Sequence, residues 1–136
     1  MVNPVRRQFW LQLIEQARRK RPEDLGLLWE HLLLTEMQSR LTGSEIRYWR
    51  DKRGHEVDFV ITRKGKAPIA VECKWSSDRF DPSNLNVFRK LYPQGENNVV
   101  AQDVTRSFRR EHNDVSVLFL SIEAFIDILV TLQLSS

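Results

Sequence analysis

Glu56-Val57-Asp58-Phe59-Val60 and Val71-Glu72-Cys73-Lys74 are two short apolar runs interrupted by charges at matching strand parity. Asp, Glu and Lys are poor strand formers and costly to bury. A half-buried strand therefore carries them only where they face solvent or a functional site. Side chains alternate along a strand, so His55, Val57, Phe59 and Ile61 are expected on one face, the core face, with Glu56, Asp58, Val60 and Thr62 opposite. In the next run Ile69, Val71, Cys73 and Trp75 form the apolar set. Pairing the two core faces places Asp58, Glu72 and Lys74 together on the other side of the sheet.

On either side of these runs, Ile46 to Arg50, Glu56 to Thr62 and Pro68 to Trp75 read as three strands. Asp51-Lys52-Arg53-Gly54 and Arg63-Lys64-Gly65-Lys66 separate them, and such short turns imply an antiparallel meander. Upstream, Asn3 caps a helix that starts at Pro4 and carries Val5, Phe9, Leu13 and Ala17 until Arg18-Arg19-Lys20-Arg21 and Pro22 stop it. A second, unusually apolar helix runs from about Pro22 to Leu41, with Gly43 just beyond. Downstream, Asp81 caps a helix that turns Leu85, Phe88 and Leu91 inward. Asn98 to Gln102 and Val115 to Leu120 are two further strands, and Ser121 caps a last helix with Ile122, Phe125, Ile126 and Leu129 as its stripe. Residues 103–114 are left as a long loop. The order is ααβββαββα: an α/β (α+β) fold with a mixed central sheet between flanking helices, in one domain over 1–136. Residues 1–21 form its first helix, 22–120 its core and 121–136 its last helix.

A chain of 136 residues with 41% hydrophobic content can bury one core but not comfortably two. Lone Cys73 excludes an internal disulfide framework, and no apolar run approaches a membrane span. With no apolar signal core after Met1, the expectation is a cytoplasmic protein and no membrane partner. A net charge of +3 permits nucleic-acid contact without demanding it. Arg50 and Arg53 at the first hairpin and Arg106, Arg109 and Arg110 in the long loop are the candidate phosphate contacts. Whether those clusters share a face decides between that role and ordinary solvated turns.

Two carboxylates and an ammonium on one face have a chemical use. Mg²⁺ (or Mn²⁺) takes hard oxygen ligands and keeps waters for substrate phosphate, which suits Asp58 and Glu72, while Lys74 orients the attacking water or offsets charge. The Cys73 backbone carbonyl is a further candidate ligand, and Glu56, on Asp58's parity, a secondary acid. A solvated outer face would display the same Asp and Glu-x-Lys. Glu30 adds weight to the metal reading: on the apolar second helix it shares a face with Gly26, Leu33 and Met37, where a carboxylate needs a partner or an escape to the helix edge. His31, His55 and His112 lack zinc-ligand spacing.

Glu30, Asp58 and Glu72-x-Lys74 in this order resemble the PD-(D/E)XK nuclease superfamily, whose core is a restriction-endonuclease-like three-layer α-β-β-β-α-β unit. More closely, Gly26 with Trp29-Glu30, Tyr48-Trp49-Arg50, Gly54-His55-Glu56-Val57-Asp58-Phe59-Val60 and Val71-Glu72-Cys73-Lys74-Trp75-Ser76-Ser77 are similar to the nuclease-like domain of unknown function at the C-terminus of bacterial and archaeal AAA+ ATPases. The resemblance implies a metal-dependent DNA phosphodiesterase with Asp58, Glu72, Glu30 and Lys74 catalytic. The alternative it implies is a non-catalytic module that binds nucleic acid or protein beside an ATPase. The ATPase's Gly-Lys-Ser/Thr phosphate loop is absent here, so any ATPase module acts in trans or belongs to a longer parent chain. A homodimer is compatible with the resemblance, since nucleases that cut both strands often pair.

Overall fold

The computed structural model describes residues 22–134 together with residues 12 and 15. Apart from those two, the expected first helix falls outside the described residues, as does the Arg18-Arg19-Lys20-Arg21 run. The elements are α1 (Pro22–Arg40), β1 (Glu45–Arg50), β2 (Glu56–Thr62), β3 (Ile69–Lys74), a 3-10 turn (Ser77–Arg79), α2 (Ser83–Leu91), β4 (Asn97–Ala101), β5 (Phe108–His112), β6 (Val115–Leu120) and α3 (Ile122–Leu134). They form a mixed α/β fold, as expected. The caps lie where the sequence puts them: the Ser83 N–H donates to Asp81 Oδ1 at 2.9 Å and the Ala124 N–H to Ser121 Oγ at 3.2 Å.

The six-stranded sheet has the order β1-β2-β3-β4-β6-β5. β1, β2 and β3 form the antiparallel meander, β4 and β6 continue parallel to β3, and β5 closes the far edge antiparallel to β6. Helix α2 makes the long crossover that the parallel pairing of β3 and β4 requires. One expectation changes here. Residues 108–112 are a strand, not part of a loop, and Asn113 turns the hairpin to β6 at φ 59°. As an edge strand with exposed Arg109, Arg110 and Glu111, it lacks the apolar signal that marks buried strands.

Both faces of the sheet are buried. Under α1 and α3, Phe59, Ile61, Ile69, Val71, Val100 and Leu120 meet Trp29, Leu33, Met37, Phe125, Ile126 and Leu129. Under α2, Val57, Val60, Ala70, Val99, Val117 and Phe119 meet Leu85 and Phe88. This corrects the single core face expected for the meander, since Val60 and Ala70 are as enclosed as Ile61 and Val71. Strands covered on both sides are what a parallel centre requires. The Trp29 indole N–H donates to the Val100 carbonyl at 2.9 Å, and Trp29 meets Trp75 edge to face, so α1 is pinned over the C-terminal ends of β3 and β4.

Helix α2 differs from its expected stripe: Leu91 is 61% exposed, and Arg89 is buried instead. All five guanidinium donors of Arg89 are used. Nε donates to Asn97 Oδ1 at 2.6 Å, and the terminal nitrogens donate to the carbonyls of Tyr92, Gln94, Pro68 and Glu96. Burial pulls its pKa down to about 10, which leaves it protonated at neutral pH. The side chain thus organises the turn into β4, where Gly95 sits at φ 129°. A Cβ on Gly95 would collide with the Pro68 carbonyl oxygen.

Candidate functional site

The β2–β3 ladder runs only from Ile61–Ile69 to Phe59–Val71, while β3 stays paired with β4 as far as Lys74–Ala101. Beyond Phe59 the two strands fork. Against β1 the register slips between Arg47–Val60 and Trp49–Val57, so Asp58 and Phe59 stand together opposite Tyr48. Such a bulge re-aims side chains, and it corrects the simple alternation read from the sequence: Val57 joins Val60 beneath α2 while Phe59 stays under α1. Asp58 sits at this break, and its Oδ2 accepts the Cys73 N–H at 2.8 Å. A carboxylate thus occupies the place where the strand ladder would have continued.

Beside the fork lies a cleft of about 590 Å³ lined by Gly26, Leu27, Glu30, Asp58, Cys73, Lys74, Trp75, Ser76 and Arg79. Helix α1 supplies one wall and the C-terminal end of β3 the other. Of the expected residues, Glu30, Asp58, Cys73 and Lys74 therefore come together. Glu72 does not line the cleft. It shares strand parity with Ala70, is only 4% exposed, and its Oε1 has no hydrogen-bond partner among the described residues.

Electrostatics join the two sides. Burial, and then the charge of Asp58, pushes the Glu72 carboxyl up to about 9. Glu30 is raised by burial and by Asp58 as well, with Glu56 adding to the effect. Glu56 is exposed and acts on the site only through this field. The Cys73 thiol is raised well above its usual value by burial and by the same acids, which leaves it inert as a nucleophile. Among the described residues, no three His, Cys, Asp or Glu side chains stand close enough to hold a metal ion between them. Two carboxylates are nevertheless a usual protein share of a Mg²⁺ site, whose remaining positions are filled by water and phosphate. Asp58 and Glu72, whose carboxyls interact across the fork, would be such a pair.

The expected arginines do not form one surface. Arg50 and Arg53 lie at the β1 edge, and Arg109 and Arg110 lie on β5 at the opposite edge, with Arg106 just before it. Four strands intervene, about 24 Å of sheet from β1 to β5. Arg109 faces Glu96 at 3.6 Å, and Arg110 lies over the Phe108 ring at 5.0 Å. Sequence reading missed Arg79, a second cation that lines the cleft with Lys74. It rides on the 3-10 turn, which is tied down where the Ser77 N–H and hydroxyl both donate to the Asp103 carboxylate at 2.9 and 3.1 Å. The one available signal was its position just after Trp75-Ser76-Ser77. Also unforeseen was Glu36, wholly buried on α1 and bonded by Arg40 Nε at 2.8 Å. Among the described residues no helix is long and apolar enough to cross a membrane.

No curated protein matches the sequence. Among solved structures, the chain is similar to one in the assembly described as a refined half-complex from the tetradecameric assembly of Thermococcus gammatolerans McrB AAA+ hexamers with bound McrC. Identity is 11% and the TM-score 0.51, with 71% of this chain and 27% of that one covered. At that identity the likeness concerns the fold alone, and the present chain spans about a quarter of its relative's length. A family match is more extensive: residues 25–125, which take in all but the first three residues of α1, the whole sheet and the start of α3, match Domain of unknown function (DUF4143), and the chain belongs to that family.

Proposed function

We propose that this chain is a nucleic-acid-binding module that works beside an AAA+ ATPase and carries a divalent-cation-dependent centre for phosphodiester hydrolysis. The ATPase link is supported by the fold shared with a chain of an assembly containing McrB AAA+ hexamers. The hydrolytic reading is carried by one observation: Asp58 and Glu72 face each other across the β2–β3 fork, with a Glu72 oxygen buried and unpartnered. Folding has brought two acids together at a cost that a bound cation would remove.

In this reading Asp58 and Glu72 hold the ion, and Glu30 in the cleft wall tunes the field around it. A bound Mg²⁺ or Mn²⁺ supplies charge neutralisation at the phosphoryl group and a more acidic water. Lys74 lines the same cleft, where its ammonium would orient an attacking water and offset charge developing on the phosphoryl oxygens. Isothermal titration calorimetry with Mn²⁺ tests the site directly. Binding to the wild type that is lost in Asp58→Ala supports it, and equal heats from both proteins remove it.

A second reading keeps the fold and the cleft without the chemistry. It is favoured by Glu72 lying outside the cleft lining and by the absence, among the described residues, of a three-acid cluster. It predicts DNA or partner binding that falls with salt and ignores Mg²⁺ and Mn²⁺.

A further inference from the structure

Among the described residues, nothing requires glycine at position 26. It lies just past the first turn of α1, where glycine is the poorest helix former after proline. Among the described residues a Cβ built on it would meet nothing within 4 Å, and its backbone is not among the positive-φ positions. The open space above it is the cleft itself, one helical turn from Glu30 and across from Arg79. A glycine that neither packing nor backbone geometry requires, facing a cleft, permits close approach of whatever enters.

The other lining residues say what that is. Lys74 and Arg79 supply two cations against the carboxylates of Glu30 and Asp58, while Leu27, 60% exposed, and Trp75 supply apolar surface. Cations along a groove beside apolar side chains that accept base faces are the chemistry of single-stranded nucleic acid. A volume of about 590 Å³ is that of a small-ligand site and holds a nucleotide or two.

We infer that the cleft takes a single-stranded segment of nucleic acid whose backbone passes closely over Gly26, with Arg79, anchored through Ser77 and Asp103, contacting a flanking phosphate. This rests on the nucleic-acid reading above and narrows it to unpaired substrate. A strand end, a flap or a gap would present such a segment, and the interior of an intact duplex would not.

The test is fluorescence anisotropy of a labelled oligothymidylate with the full chain, in Ca²⁺, alongside thermal melting. Gly26→Leu should melt at the same or a higher temperature, since it improves the helix and meets nothing, yet bind at least tenfold more weakly. Arg79→Gln should weaken binding and lower the slope of log K against log salt by about 0.7, the share of one phosphate on a single strand. Unlabelled single strand should compete better than a duplex of equal length. Wild-type affinity in Gly26→Leu, an unchanged salt slope in Arg79→Gln, or stronger competition by the duplex overturns the inference while the nucleic-acid reading stands. A wild type that binds neither probe overturns both.

Discussion

Replacing Glu72 by Gln should make the protein more stable while removing its proposed chemistry. The sign follows from linkage. An acid whose folded pKa is raised, here from 4.5 to about 9, contributes stability that is fully present below pH 4.5 and lost as pH rises toward 9. Between those limits the folded protein holds a proton that the unfolded chain has released, so stability falls by about 1.4 kcal/mol per pH unit. At pH 7 the accumulated loss is about 3 kcal/mol, a large fraction of the roughly 5–15 kcal/mol that holds a domain together. Gln cannot ionise and keeps the side-chain shape, so most of that loss should vanish. Urea unfolding from pH 5 to 9 measures it. The wild type should lose stability more steeply with pH than Glu72→Gln, which keeps only the shallower loss from Glu30, the curves separating by about 2–3 kcal/mol near pH 7. Parallel curves would refute the account of Glu72 as a buried acid held against Asp58.

The remaining predictions concern the frame of the site. Arg89→Ala removes five donors from buried acceptors and should destabilise by about 3–5 kcal/mol, read as a fall in the urea midpoint. Gly95→Ala must leave φ 129° and clear the Pro68 carbonyl, and should cost about 2 kcal/mol or more by the same measurement. Trp29→Phe keeps one aromatic ring but leaves a void at a buried site and the Val100 carbonyl without its donor, so a loss of about 2 kcal/mol or more is expected in thermal melting. Arg109→Ala, on the far sheet edge and exposed, should leave both the melting temperature and oligonucleotide binding unchanged.

The sequence was readable wherever residue type and burial agree. The meander, the Asp81 and Ser121 caps and the Val115–Leu120 strand follow from alternation and turn chemistry, and they stand within a residue or two of their expected bounds. β5 was not readable because its edge position lets Arg109, Arg110 and Glu111 remain solvated. Arg89 was hidden for the opposite reason: a buried cation is legible only once its five carbonyl and amide acceptors converge from separate segments. Parity singled out Asp58, Glu72 and Lys74 as one group, but only Asp58 and Lys74 line the cleft and Glu72 does not. The bulge that turns Asp58 into the fork was invisible, because it comes from mismatched register with β1 rather than from any residue of β2. Arg79 needed the Ser77–Asp103 tether, a contact across 26 positions of sequence.

The Asp58–Glu72 fork, as proposed, is a divalent-cation centre for phosphodiester hydrolysis. It is tested most directly by gel analysis of end-labelled single-stranded DNA incubated with Mg²⁺ or Mn²⁺ and with either wild-type protein or Glu72→Gln, both purified identically and shown to be folded. The account predicts metal-dependent cleavage by the wild type and none by the better-folded variant. Equal cleavage by both, or none by either while DNA binding persists, would contradict it.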